Sequence, residues 1–272
     1  MADSQFTNQF TTHAELFDLG GKCALVTGGT RGIGMMIARG LLQAGARVVI
    51  SSRKADACAE AQHLLSEFGD VQAIPADLSR RDECQRLADL VQADSERLDI
   101  LVNNAGAMWR EPLETFPDEA WDTVLDLNLK SPFWLVQALL PALRKAGTAD
   151  DPARIINIGS IAAIHVAPSP NYSYASSKAA LHQLTRVLAR ELGPQHITVN
   201  AVAPGVFPSQ MMATTLDAMG DTIAAAAPLR RVGRDDDMAG AAVFLASRAG
   251  SYLTGAIIPV DGGTATTATN IH

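Results

Sequence analysis

Seven short runs of near-continuous Val, Ile and Leu, each set apart from the next by a longer stretch, constrain this chain more than any other feature. The runs are Cys23 to Val26, Val48 to Ser51, Val71 to Pro75, Ile100 to Val102, Ile155 to Ile158, Ile197 to Val202 and Ile257 to Val260. Strands that are apolar on both sides need cover on both faces, which a parallel sheet between helical layers supplies. The stretches between them include Ile33 to Gln43, Ala55 to Phe68, Arg81 to Glu96, Asp118 to Leu143, Tyr174 to Leu192 and Asp236 to Ala246, and they have helical spacing. The alternation predicts an α/β fold, one doubly wound parallel sheet of about seven strands with helices on both faces. Ligands of such sheets collect beyond the carboxyl ends of the strands, near the point where strand order reverses.

No internal repeat and no Pro/Gly/Ser linker divides the 272 residues, so a single domain over 19–263 is expected, with loosely held extensions at 1–18 and 264–272. A hydrophobic fraction of 47% against 19% charged residues suits a chain with a substantial core. The formal charge of −7 gives no broad cationic field for nucleic acid. Met1 to Leu19 is polar and lacks a signal-like apolar core, and the greasiest stretch, Phe133 to Leu143, is too short to cross a bilayer. Cys23, Cys58 and Cys84 suggest neither a disulfide framework nor a zinc site, and a reducing cytoplasm is the expected compartment.

Directly after the first strand comes Thr27-Gly28-Gly29-Thr30-Arg31-Gly32-Ile33-Gly34, opening into an apolar helix. Glycines there let the backbone bend tightly and approach a pyrophosphate, which the helix N-terminus stabilises through free N–H groups. The turn departs from the general G-x-G-x-x-G pattern, so a glycine-rich turn without a ligand stays open on this motif alone. The second strand ends in Ser51-Ser52-Arg53-Lys54, with no carboxylate before Asp56. A carboxylate at that place accepts the ribose 2′-hydroxyl of NADH, whereas a guanidinium pairs with the 2′-phosphate of NADPH. Arg31 and Arg53 therefore favour NADPH, against the alternative that both are solvated surface groups.

Tyr174 and Lys178 are four apart at the start of an amphipathic helix and so share one face. An ammonium beside a phenol favours the phenolate and lowers its pKa, which suits proton exchange with a carbonyl oxygen. Ser160 follows the strand Ile155 to Ile158, and Asn103-Asn104-Ala105-Gly106 ends another, so three polar groups converge on one crevice.

The glycine turn, the Asn103 to Gly106 segment, Ser160, the Tyr174 and Lys178 pair and the Pro204-Gly205 turn occur in the order and spacing of the short-chain dehydrogenase/reductase family, which the chain resembles over Leu19 to Gly263. Within it, Tyr174 to Leu184 and Pro204-Gly205-Val206-Phe207-Pro208-Ser209 look most similar to bacterial 3-oxoacyl reductases, including the rhamnolipid-pathway type. The resemblance implies a Rossmann-type catalytic domain in which Ser160 polarises a carbonyl, Tyr174 is the general acid and Lys178 holds the nicotinamide ribose. It implies that Asn128 anchors a proton-relay water, that Asp77 and Leu78 flank the adenine and that Asn104, Ala105 and Gly106 line the cofactor. Gly28, Thr30, Arg31, Gly32, Ile33, Gly34, Ser52 and Arg53 would hold its phosphates and ribose, with Pro204, Gly205, Val206 and Ser209 beside the carboxamide. It also implies a substrate lid over 206–231 and a homotetramer or homodimer.

Two departures stand out. The interval from Ser160 to Tyr174 is one residue longer than the family's commonest spacing, leaving Tyr172 as a decoy without a lysine four residues on; Ser209 stands where many members carry threonine. Of the histidines, none shows metal-ligand spacing, and His165 alone lies where it could touch substrate. Asp235-Asp236-Asp237 reads as helix capping. Met211 and Met212 tilt the reading toward a greasy or acyl ketone. The expected activity is NADPH-dependent reduction of a 3-oxoacyl thioester or similar ketone. The alternatives are a sugar-acid or polyol dehydrogenase and a non-catalytic cofactor-binding protein.

Overall fold

A computed structural model describes residues 12–166 and 170–265. The expected extensions therefore fall largely outside the described residues. The seven runs form β1 (Cys23–Thr27), β2 (Arg47–Ser52), β3 (Val71–Pro75), β4 (Ile100–Asn103), β5 (Ala153–Ile158), β6 (Ile197–Pro204) and β7 (Ile257–Val260). They make one sheet in the order β3-β2-β1-β4-β5-β6-β7, with every neighbouring pair parallel. All residues of β1, β4, β5 and β6 are buried, as two helical covers require. Burying each Val, Ile or Leu there contributes roughly 1.5–3 kcal/mol before the entropy of ordering is counted.

One cover is built from α2 (Gly32–Gln43), α3 (Ala55–Leu65) and α9 (Asp235–Ala246), through Ile37, Leu41, Leu65 and Met238. The other uses α4 (Arg81–Asp94), α6 (Ser131–Ala146) and α7 (Tyr172–Leu192), through Leu87, Val91, Leu135, Leu139 and Leu188. Strand order reverses between β1 and β4, and the loops leaving these strands line a cleft there.

Four elements differ from the sequence reading. A five-residue helix, α1 (His13–Phe17), lies in the expected N-terminal extension, held by a capping box in which Thr12 and Glu15 exchange hydrogen bonds. The single expected helix over Asp118 to Leu143 is α5 (Asp118–Leu125) and α6 joined by a π turn, Asp126–Lys130, where the Ser131 N–H bonds the Asp126 carbonyl. The helix carrying Tyr174 starts two residues earlier, at Tyr172. The expected lid contains α8 (Ala213–Ala226), kinked at Met219. At the start of α9, the Asp237 carboxylate accepts the Arg234 N–H at 2.8 Å and pairs with Arg231, while Arg39 approaches Asp235 and Asp236. The three acids thus serve the helix end and its flanks. None of the described helices is long and apolar enough to cross a membrane.

Candidate active site

The rim of the cleft is assembled by hydrogen bonds between the β1 and β4 loops. The Thr27 hydroxyl, at the end of β1, accepts the backbone N–H groups of Asn104 and Ala105 at 2.9 and 3.0 Å. In return the Asn104 amide donates to the carbonyls of Thr27 and Gly28, at 2.8 and 3.1 Å. Gly28 has φ +64°, a left-handed conformation that costs glycine little. Gly34 is needed for a different reason: a Cβ there would stand 2.2 Å from the Gly28 carbonyl oxygen and 2.5 Å from the Asn104 amide nitrogen. The turn therefore presses the first turn of α2 against backbone, with no side-chain cap on the helix's leading N–H groups.

Gly28, Thr30, Arg31, Gly32, Ile33 and Gly34 face the cleft, as do Ser52 and Arg53 across from them. Leu78 lines it too. Asp77 does not: its carboxylate accepts the backbone and hydroxyl hydrogens of Ser79 at 3.2 and 2.8 Å, tying the loop after β3. Asn104, Ala105 and Gly106 line the middle, and Pro204, Gly205, Val206 and Ser209 close the far side. Gly205 sits so near the next loop that a Cβ would meet the Asp261 Cα at 2.7 Å.

Ser160 leaves β5 and begins a short 3₁₀ turn, its oxygen accepting the Ala162 N–H at 3.1 Å. Tyr174, in the first turn of α7, is buried with its phenol beside Ser160. Lys178 follows a turn later, 4% exposed, its Nζ donating to the Ile158 carbonyl at 2.7 Å and standing 5.7 Å from the Tyr174 ring centre. Serine, phenol and ammonium therefore meet at the open end of β5. Tyr172 instead packs edge-on against Phe116, ring centres 5.2 Å apart, and does not face the cleft.

Burial pushes the Lys178 ammonium down from 10.5 to about 8. It pushes the Tyr174 phenol up, against the lowering influence of the Ser160 hydroxyl and the positive charge of Arg110. The sequence expectation was a lowered phenol. Desolvation outweighs the favourable groups in the ligand-free chain, because a phenolate in that pocket would lose its water.

Asn128 occupies the π turn and does not itself face the cleft. Its oxygen accepts the Ala107 N–H at 2.8 Å, and its amide donates to the Ala107 carbonyl at 2.9 Å and to Ser177 Oγ at 3.0 Å. It thus clamps the β4 loop to the helix that carries Tyr174 and Lys178. Deeper still, the Asn103 amide donates to Asn157 at 2.9 Å and the Asn157 amide to Thr185 at 2.9 Å, linking β4, β5 and α7.

The cleft holds about 910 Å³. Met211 and Met212, in the segment after Pro204-Gly205, line it, as does His165. Sequence reasoning missed Met108, Arg110, Met219 and Ile223, which join them. Phe207 also faces the cleft but is buried, packed so close to Gly233 that a Cβ there would touch its ring. A nicotinamide dinucleotide phosphate suits these residues on two counts. Arg31, Arg53, Arg110 and Lys178 face the cleft and no Asp or Glu among the described residues does. Lys178 spends only one of its three donors on the chain, leaving a buried ammonium aimed at acceptors such as ribose hydroxyls.

Comparison with known proteins agrees with this geometry. Residues 28–265 match the family described as enoyl-(acyl carrier protein) reductase. The rhamnolipids biosynthesis 3-oxoacyl-[acyl-carrier-protein] reductase of Pseudomonas aeruginosa is 52% identical over 250 residues, 91% of this chain and 97% of the relative. Gluconate 5-dehydrogenase of Gluconobacter oxydans is 34% identical over 256 residues, 93% of this chain and 98% of the relative. The solved P. aeruginosa RhlG/NADP active-site complex superposes with a TM-score of 0.90 at 51% identity, covering 92% of this chain and 98% of that one. With the glycine turn, the Asn104 clasp and the Ser160, Tyr174 and Lys178 cluster in place, the chain belongs to the short-chain dehydrogenase/reductase family.

Proposed function

We propose that this protein is an NADPH-dependent ketoreductase that reduces a 3-oxoacyl thioester or a similar apolar ketone to the alcohol. The observation that carries the reading is the meeting of Ser160, Tyr174 and Lys178 at one cleft with the glycine turn. NADPH, when bound, supplies the hydride. Arg31 and Arg53 would receive its 2′-phosphate, the glycine turn and the first N–H groups of α2 its pyrophosphate, and Lys178 the nicotinamide ribose. Ser160 orients the ketone oxygen by a hydrogen bond. Tyr174 delivers its phenolic proton to that oxygen as charge develops there, and the raised pKa keeps the proton on the phenol at neutral pH. Asn128 holds the β4 loop and α7 in register beneath the reacting groups.

The methionine-lined wall favours an acyl chain over the polyhydroxylated substrate of a gluconate dehydrogenase. The segment 206–231 acts as the lid over that substrate. Half-exposed Phe133 and Val187 on α6 and α7, with Trp121 on α5, are surfaces for a homotetramer. Three free, buried cysteines suit a reducing cytoplasm. The test is NADPH oxidation against 3-oxoacyl thioesters and 5-ketogluconate. The thioesters are expected to be turned over and Tyr174→Phe to lower kcat at least about 10²-fold. Full turnover by Tyr174→Phe would overturn the mechanism, and preference for 5-ketogluconate the substrate class.

A further inference from the structure

Among the described residues four cations and no carboxylates face the cleft, in a chain of formal charge −7. Arg31, Arg53 and Lys178 are accounted for by the cofactor, and Arg110 is left over. It rises, exposed, from the loop after β4, and among the described residues its single polar contact is a guanidinium N–H to the Met212 sulfur at 3.9 Å. A thioether is a weak acceptor, so this contact supplies the cation with no counter-charge. Arg110 belongs to the substrate side, because its positive charge bears on the Tyr174 phenol and it stands with Met108, Met212 and Met219. An exposed guanidinium on the wall of a methionine-lined cleft, with most of its donors unspent among the described residues, matches a carboxylate or a phosphate.

We infer that Arg110 is a specificity-determining residue that receives an anionic group of the substrate, so that the preferred ketone joins an apolar chain to a carboxylate or a phosphate. The inference rests on the ketoreductase reading. The anion has two sources, the carboxylate of a free oxo acid or a phosphate of the carrier to which an oxoacyl thioester is attached. Arg110 gives up the Met212 contact for the stronger acceptor, which draws the β4 loop and the segment after Pro204-Gly205 onto the same ligand.

The test pairs each anionic ketone with a neutral partner: 3-oxooctanoyl-coenzyme A with the N-acetylcysteamine thioester, and 3-oxooctanoate with its methyl ester. In Arg110→Ala the anionic-to-neutral ratio of kcat/KM is expected to fall about tenfold in one pair, through KM, with part restored by Arg110→Lys. The affected pair names the source of the anion. Unchanged ratios, or an equal loss of kcat on all four compounds, would overturn the inference, the latter assigning Arg110 to the phenol instead. If the wild type turns over none of the four, the ketoreductase reading fails. Calorimetric binding of 3-hydroxyoctanoate and its methyl ester to the NADP⁺-loaded protein then still reads Arg110. Anion preference lost in Arg110→Ala supports its role, and no preference in the wild type refutes it.

Discussion

Replacing Lys178 by methionine, which keeps its length and removes its charge, should make the ligand-free protein more stable while disabling it. Holding an ammonium of ordinary pKa 10.5 down to about 8 costs roughly 3 kcal/mol, at 1.36 kcal/mol per pH unit. The side chain is 4% exposed, so solvent screening does little to reduce this figure. Against it stands the hydrogen bond to the Ile158 carbonyl, whose loss costs about 1 kcal/mol. A net gain of about 2 kcal/mol should raise Tm by about 4 °C in a domain of this size. Below pH 8 the lysine is charged in folded and unfolded chains alike, and the full burial cost is present. Between pH 8 and 10.5 the unfolded chain binds more protons than the folded one, so wild-type stability from this group rises with pH and the advantage of Lys178→Met shrinks. Thermal denaturation of both proteins without cofactor, from pH 7 to pH 10, measures this directly. A variant no more stable than wild type at pH 7, or a gap that does not narrow through that window, would refute the assignment of a desolvated ammonium.

Three further changes probe other parts of the site. Arg53→Ala should raise KM for NADPH about tenfold and leave KM for NADH within about twofold, since only the former carries the 2′-phosphate. Gly34→Ala drives a methyl into the Gly28 carbonyl, so it should cost about 2 kcal/mol in thermal denaturation and weaken cofactor binding measured by fluorescence titration. Asn128→Ala leaves both backbone groups of Ala107 without partners and should cost about 2 kcal/mol in urea unfolding, with a fall in kcat exceeding any change in KM for cofactor.

The sheet was legible because strands covered on both faces are written as unbroken apolar runs, and β1 to β7 lie within a few residues of those runs. The reacting groups were legible for a related reason: Ser160, Tyr174 and the Asn104 segment are fixed by strand ends and one helical turn. The π turn was not, because Asp126 to Lys130 keeps helical spacing and its extra residue is set by tertiary hydrogen bonds to Asn128. Asp77 was assigned by likeness alone, and Ser79 two residues on engages one oxygen of its carboxylate. Met108, Met219 and Ile223 could not be singled out, since a methionine facing a cleft and one filling a core look alike in sequence. Arg110 had a signal that went unread: it stands four residues past the Asn104 to Gly106 segment, on a loop that leaves a strand's carboxyl end.

The Thr27 and Asn104 clasp has a consequence for how a dinucleotide is captured. Because those side chains already satisfy the backbone on both sides of the crevice, the chain meets the entropy of shaping that rim as it folds, before any nucleotide arrives. Association then involves shedding water from a ready-made mould, and loosening the stitch, as Thr27→Ala would, moves that ordering cost into the binding step.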